Sequence, residues 1–254
     1  MSDSGVSTGP LGLPAAITAC LFDLDGVLTQ TATVHRAAWK QTFDPLLARI
    51  GQRPFSDEDY NQYVDGRRRE DGVRAFLASR DLHPPEGRAD DPPGADTIAA
   101  IAARKNELVL RHIEHDGVQT YDGSVRFLHA ARAAGLAIAV VTASANAASV
   151  LRAVGLADQI DARIDGVVAA QQNLAGKPAP DSFLAGARAL GVEPSAAVVF
   201  EDALAGVAAG RAGGFGWVVG VDRVGHRQGL LESGADIVVD DLSELMSTTG
   251  SLPR

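Results

Sequence analysis

The sequence predicts an α/β fold, a parallel sheet whose first strand is separated from the rest by an all-helical insert. Three observations carry that expectation. Residues 17–22 form a mostly apolar run closed by Asp25-Gly26 shortly after it, the pattern of a buried strand running into a turn. From Thr31 to about Val118 apolar residues recur at helical spacing, with no convincing alternating strand. Beyond Tyr121 helical segments alternate with short apolar strand-like runs, which implies a parallel sheet covered on both faces.

Taken in order, residues 1–16 are rich in Ser, Gly and Pro, carry no basic cluster and lack a continuous apolar stretch. They are expected to be a disordered leader and not a signal peptide. The first strand spans 17–22. Helices are expected over 34–50, 57–63, 67–79 and 96–115, with a surface loop over 81–96, where Pro84, Pro85, Pro92 and Pro93 forbid regular helix. Then come a helix at 124–134, a strand at 137–141, a helix at 144–154, a helix at 180–190, a strand at 196–200, a helix at 203–212 and strands at 217–221 and 237–239. The division follows: an α/β domain of 17–30 and 119–254, and a helical domain of 31–118. Its two short connections make a hinge.

Composition narrows the class of function. The chain has 254 residues, 46% of them hydrophobic, enough for one large or two modest domains with a real core. A net charge of −9 disfavours nucleic acid and anionic lipid as partners unless a local basic patch exists, and Arg67-Arg68-Arg69 is the visible one. A single cysteine, Cys20, precludes an intramolecular disulfide, fits a reducing compartment and falls in a strand where burial is its expected role. No apolar run is long enough to span a bilayer. The expectation is a cytoplasmic monomer acting on a small molecule.

Chemistry gathers at the ends of the expected strands, where open α/β sheets bind ligands. Asp23 and Asp25 close the first strand in Phe22-Asp23-Leu24-Asp25-Gly26-Val27-Leu28-Thr29. Thr142-Ala143-Ser144 follows the second, where a hydroxyl and the free amides of the next helix can hold phosphate oxygens. Glu201-Asp202 follows Val198-Val199-Phe200, and Gly176-Lys177-Pro178 precedes the helix that starts near Pro180. Taken alone, each has a plainer reading: a turn or calcium-loop fragment for Asp-x-Asp-Gly, a helix cap for Glu201-Asp202 and for Thr142, a solvated lysine for Lys177. Together, in this order, they point to phosphoryl transfer.

That set resembles the haloacid dehalogenase superfamily of phosphotransferases, and within it the β-phosphoglucomutase-like branch, over nearly the whole chain. The resemblance implies a Rossmann-like core with a helical cap formed by the insert. It implies that Asp23 is the nucleophile and Asp25 the general acid/base. Mg²⁺ would be held by Asp23, the backbone carbonyl of Asp25, and Asp202, with Glu201 beside them, while Thr142 and Lys177 hold the phosphoryl oxygens. His35 and Trp39 stand in His35-Arg36-Ala37-Ala38-Trp39 at the spacing of that branch, which would place His35 in acid/base work at Asp25. Arg69 resembles the cap arginine that grips a distal phosphate, with Arg67 and Arg68 its competitors. Lys105, beside Asn106, and Asn146 and Ser144 would border the sugar. Two departures stand out: Gln30 precedes Thr31 where relatives usually carry Asp, and the Pro-rich 81–96 segment lengthens the cap.

Elementary electrostatics fits this division of labour. Two carboxylates about 4 Å apart repel by roughly 4 kcal/mol at an effective dielectric near 20, so a dianionic phosphate beside them requires a cation and a lysine. The activity implied is a mutase moving phosphate between the C1 and C6 oxygens of β-glucose phosphate through a bisphosphate. The alternatives are a hydrolase of small sugar-phosphate esters and a non-catalytic metabolite-binding protein. Other features have simpler explanations. His112 and His115 lack a third zinc ligand nearby, Ser56-Asp57-Glu58-Asp59 has the composition of a helix start, and Gly213-Gly214-Phe215-Gly216 lacks the strand and helix context of a dinucleotide loop.

Overall fold

A computed structural model of the chain describes residues 10–247. Its strands are β1 (Ala19–Phe22), β2 (Ala137–Val141), β3 (Ala162–Ile164), β4 (Ala197–Glu201), β5 (Trp217–Val221) and β6 (Ile237–Val239). Its helices are α1 (Thr31–Arg49), α2 (Asp57–Asp59), which runs into a π-helical turn over Tyr60–Val64, α3 (Arg69–Ser79), α4 (Ile98–Asp116), α5 (Asp122–Ala133) and α6 (Ala147–Ala153). They continue with α7 (Gly166–Gln171), α8 (Asp181–Leu190), α9 (Leu204–Ala212), α10 (Arg227–Glu232) and α11 (Ser243–Ser247).

The six strands form one parallel sheet in the order β3-β2-β1-β4-β5-β6. β1 is central, with Phe22 opposite Val140 of β2 and Phe200 of β4. Its alternation serves two cores: Cys20 and Phe22 face one, Ala19 and Leu21 the other. On the first face Phe22 stacks on Phe200 with ring centroids 4.6 Å apart, and Phe127 of α5 meets Phe200 edge-on at 5.1 Å. On the second, Leu21, Val141 and Val199 pack under Phe183 of α8 and Val207 of α9. Strand order reverses at β1, so the crevice beyond the carboxyl ends of β2, β1 and β4 is the topological switch point.

Between β1 and α5 the chain is helical, and Trp39, Phe43, Phe55, Phe76, Leu77 and Ile101 build a third core there. Phe43 lies 4.3 Å from Phe76 and stacks on Trp39 at 5.1 Å, centroid to centroid. Ser56 caps α2 through a reciprocal capping box with Asp59, as its composition suggested. Segment 81–96 holds no helix or strand and is tied to α3 by the pair of Arg74 with Glu86 at 2.7 Å. The two connections run side by side: Thr29 bridges Thr120 antiparallel, and Gln30 donates from its amide side chain to the Thr120 carbonyl at 3.1 Å. Gln30, the departure seen in the sequence, is thus a bond between the outgoing and returning chain.

Several expectations shift. Residues 1–9 lie outside the described residues, but 10–16 does not fit a disordered leader: it contains a short 3₁₀ turn at Pro10–Gly12, and Leu13, 1% exposed, enters the first core. The helix expected from Ser144 starts at Ala147, because Ser144 and Asn146 spend their amides on the hydroxyls of Thr142 and Ser144. The edge strand β3 and the short helices α7, α10 and α11 were not anticipated; β3 is three residues long with an exposed arginine in its middle. Cys20 is fully buried, which pushes its thiol up. Among the described residues no helix is long and apolar enough to cross a membrane.

Candidate active site

β1 ends by delivering Asp23 into the crevice, its amide still bonded to the Phe200 carbonyl at 2.9 Å. Only 4% of Asp23 is exposed, and its Oδ1 accepts a hydrogen bond of 2.6 Å from Lys177 Nζ. The same ammonium donates to Glu201 Oε2 at 2.7 Å and to the Val141 carbonyl at 3.3 Å. Although burial disfavours its charge, Asp23 and Glu201 hold the Lys177 pKa above its ordinary value. Burial also pushes Asp23 up against the pull of Lys177, and Glu201 up to about 8.

Carboxylate oxygens of Asp23, Glu201 and Asp202 lie within 4.8 Å of one another. Burial, followed by the charges of Asp65 and Glu201, raises Asp202 well above the carboxylate range. This is a set of hard oxygen donors crowded beyond what one lysine neutralises, the donor chemistry that Mg²⁺ takes. Gly26, at φ +97°, permits the approach: a Cβ there would lie 1.8 Å from the Asp202 carboxylate.

Asp25 faces the same space from the other side. It accepts from the Thr31 hydroxyl and, at 3.2 Å, from that of Thr142, while His35 Nε2 stands 3.6 Å away. Burial raises its pKa despite these donors. His35 is held well below its ordinary value by burial, then by the charges of Lys105 and Arg69, so its ring is neutral. Its Nδ1 lies 2.9 Å from Lys105 Nζ and, facing an ammonium, acts as acceptor, which leaves the ring proton on Nε2 toward Asp25. Lys105 is 6% exposed, sits over the Trp39 ring at 4.9 Å and is pushed down to about 7 by burial.

The cavity these groups enclose has a free volume of about 50 Å³ and is closed on the far side by the helical segment, including Arg67 and Arg69. Arg69 Nε lies 3.4 Å from Glu70 Oε1; Arg68 turns away and donates to the Leu174 carbonyl at 3.4 Å. Asn146 reaches across from the loop after β2 to Asn106 of α4, 3.2 Å from amide to carbonyl oxygen. Asp23, Asp25, His35, Trp39, Arg69, Lys105, Thr142, Ser144, Asn146, Glu201 and Asp202 all line this cavity. Lys177 lies beneath it, bonded to Asp23.

A family model of haloacid dehalogenase-like hydrolases matches residues 17–214. The chain belongs to the haloacid dehalogenase superfamily. Within the superfamily its β-phosphoglucomutase-like branch is marked by the β-phosphoglucomutase of Mycobacterium tuberculosis (strain CDC 1551 / Oshkosh), 52% identical over 246 residues that cover 93% of this chain and 94% of that one. The β-phosphoglucomutase of Bacillus subtilis (strain 168) is 31% identical over 230 residues, 89% of this chain and 91% of its own. Among solved structures, the β-phosphoglucomutase of Clostridium difficile superimposes with a TM-score of 0.71 at 26% identity, covering 90% of this chain and 93% of that one. The chain is an enzyme of this haloacid dehalogenase branch, which sets aside the non-catalytic alternative.

Three site neighbours went unnoticed in the sequence. Thr31 bonds Asp25, Tyr60 lines the cavity, and Asp65, pushed up to about 6 by burial, lines it with Asp23, Glu201 and Asp202. In the sequence the run 65–72 stands out only for its arginines, and Thr31 only as the start of the insert; a hydroxyl six residues beyond Asp25 gives no signal until the turn at Gly26 folds it back.

Proposed function

We propose that this enzyme is a Mg²⁺-dependent β-phosphoglucomutase, interconverting β-glucose 1-phosphate and glucose 6-phosphate through an aspartyl phosphate and a bisphosphate. The observation that carries the reading is one cavity lined by two carboxylates, Asp23 and Asp25, from the α/β core and by a separate arginine, Arg69, from the helical segment. A phosphatase has no need of the second anion seat; a bisphosphate intermediate does.

In this reading Asp23 Oδ attacks the phosphorus of the bound ester while Asp25 gives its proton to the leaving sugar oxygen. The bond from phosphorus to that oxygen breaks as the aspartyl phosphate forms. In the second half Asp25 takes the proton of the C6 hydroxyl of a bound β-glucose 1-phosphate, which attacks the aspartyl phosphate and frees Asp23; the bisphosphate so formed reorients and gives its C1 phosphoryl group to Asp23, leaving glucose 6-phosphate. Burial, which raises the Asp25 pKa, favours its protonated form and so suits the first task. Neutral His35, its proton directed by Lys105, orients Asp25 without adding charge. Lys177 and Thr142 would hold phosphoryl oxygens, Arg69 the distal phosphate, and Lys105, Trp39, Ser144 and Asn146 the sugar. Asp23, the Asp25 carbonyl, Asp202 and Glu201 fit a divalent cation, which when bound neutralises phosphoryl charge as a Lewis acid.

Residues 31–118 would act as the cap. Closing over a bound sugar phosphate, it would keep water from the aspartyl phosphate. The test is product analysis: purified protein, β-glucose 1-phosphate and a trace of bisphosphate, with and without Mg²⁺. Glucose 6-phosphate is expected only with Mg²⁺. Release of inorganic phosphate without glucose 6-phosphate would leave the hydrolase reading, which the family's own description as hydrolases favours.

A further inference from the structure

The three consecutive arginines meet different fates. Arg68 is tied to the Leu174 carbonyl, and Arg69 shares its charge with Glu70. Arg67 lines the catalytic cavity and also the open groove outside it, bordered by Asn173, Gly176 and Asp181. Among the described residues its guanidinium has no hydrogen-bond or ion-pair partner, although the residue is half-buried. The loop that carries it is pinned: Gly66, at φ +68°, lies where a Cβ would come within 2.9 Å of Ala203 Cβ, one residue past Asp202. A guanidinium partly withdrawn from water, with five donors and no counter-charge, is set to receive an anion from solution.

We propose that Arg67 is a second, specificity-determining seat for the phosphate that is not being transferred. It lines both the catalytic cavity and the groove and makes the site select ligands with two separated anionic groups. The inference rests on the mutase reading above for its substrate class and goes beyond it in assigning this residue. Arg69 alone, its charge shared with Glu70, leaves a dianionic phosphate under-neutralised; a second planar fork completes the pairing.

Equilibrium titration of glucose 1,6-bisphosphate, and separately of inorganic phosphate, into Asp23→Asn protein with Mg²⁺ tests this, with and without Arg67→Gln. Arg67→Gln is expected to weaken the bisphosphate about tenfold, the scale of one charge-assisted hydrogen bond, and inorganic phosphate less than a third as much. Arg67→Lys, which keeps the charge and loses the fork, is expected to fall between. Equal weakening of both ligands, or no weakening of the bisphosphate, overturns the proposal. The mutase reading fails separately: if the wild-type enzyme makes no glucose 6-phosphate while Arg67→Gln still loses bisphosphate selectively, the seat stands and the reaction assigned to it does not.

Discussion

The ammonium of Lys177 lies 2.6 Å from Oδ1 of Asp23, with both side chains withdrawn from water. That contact joins a loop before α8 to the end of β1, residues 154 apart in sequence. It holds the acid in place while Glu201 shares the same cation at 2.7 Å. Lys177→Met leaves two buried carboxylates facing each other and is expected to lower stability by about 3–5 kcal/mol at neutral pH, the scale of a broken buried pair. Urea unfolding without metal measures it. A loss under about 1 kcal/mol would mean that the cluster is not held by this lysine.

The second expectation concerns pH. Lys105, at about 7 where lysine is ordinarily near 10.5, is charged below neutrality and neutral above. Its help to an anionic substrate is therefore lost as pH rises from 6 to 8, and KM for the sugar phosphate is expected to climb over that range. Lys105→Met removes this climb and, by lifting one of the charges that depress His35, raises the His35 pKa. Folded Lys105 binds its proton less tightly than the unfolded chain, so its contribution makes stability increase with pH between about 7 and 10.5. Steady-state kinetics across pH and imidazole proton NMR read both effects.

Much of this was legible beforehand, and the reason is physical. Strand-end acids such as Asp23 and Glu201 announce themselves because a polar residue closing an apolar run has few other uses. That the sheet is parallel followed from the alternation of such apolar runs with helices. What stayed hidden depends on side chains meeting across the fold. The Lys105–His35 contact, the depressed lysine it creates and the Gln30–Thr120 bond join segments that no local pattern links. Short edge elements such as β3 were missed because three residues carry no periodicity.

Asp25 supplies a third test. With its proton transfer removed, Asp25→Asn is expected to lower kcat on a sugar phosphate by about 10²–10⁴-fold. The loss on acetyl phosphate, whose leaving group needs no proton, is expected to be far smaller. Equal losses on the two substrates would assign Asp25 to binding instead.

Two side-chain contacts join the helical segment to the α/β core, one outside the catalytic cavity and one at its wall. Asn61 meets His226 Nε2 at 3.2 Å, and Asn146 meets Asn106 at 3.2 Å, each joining the helical segment to a loop of the α/β core. Each bond is worth about 0.5–1.5 kcal/mol, so Asn61→Ala is expected to admit water more often and raise inorganic phosphate released per glucose 6-phosphate formed several-fold. An unchanged ratio would show that closure does not depend on this contact.

The most direct measurement is acid quench of the enzyme turning over β-glucose 1-phosphate with Mg²⁺, followed by peptide mapping for a phosphoryl group. The expected result is one phosphoryl group on the peptide holding Asp23, absent from Asp23→Asn. Turnover with no phosphorylated aspartate, or with the group on any other residue, would contradict the central claim.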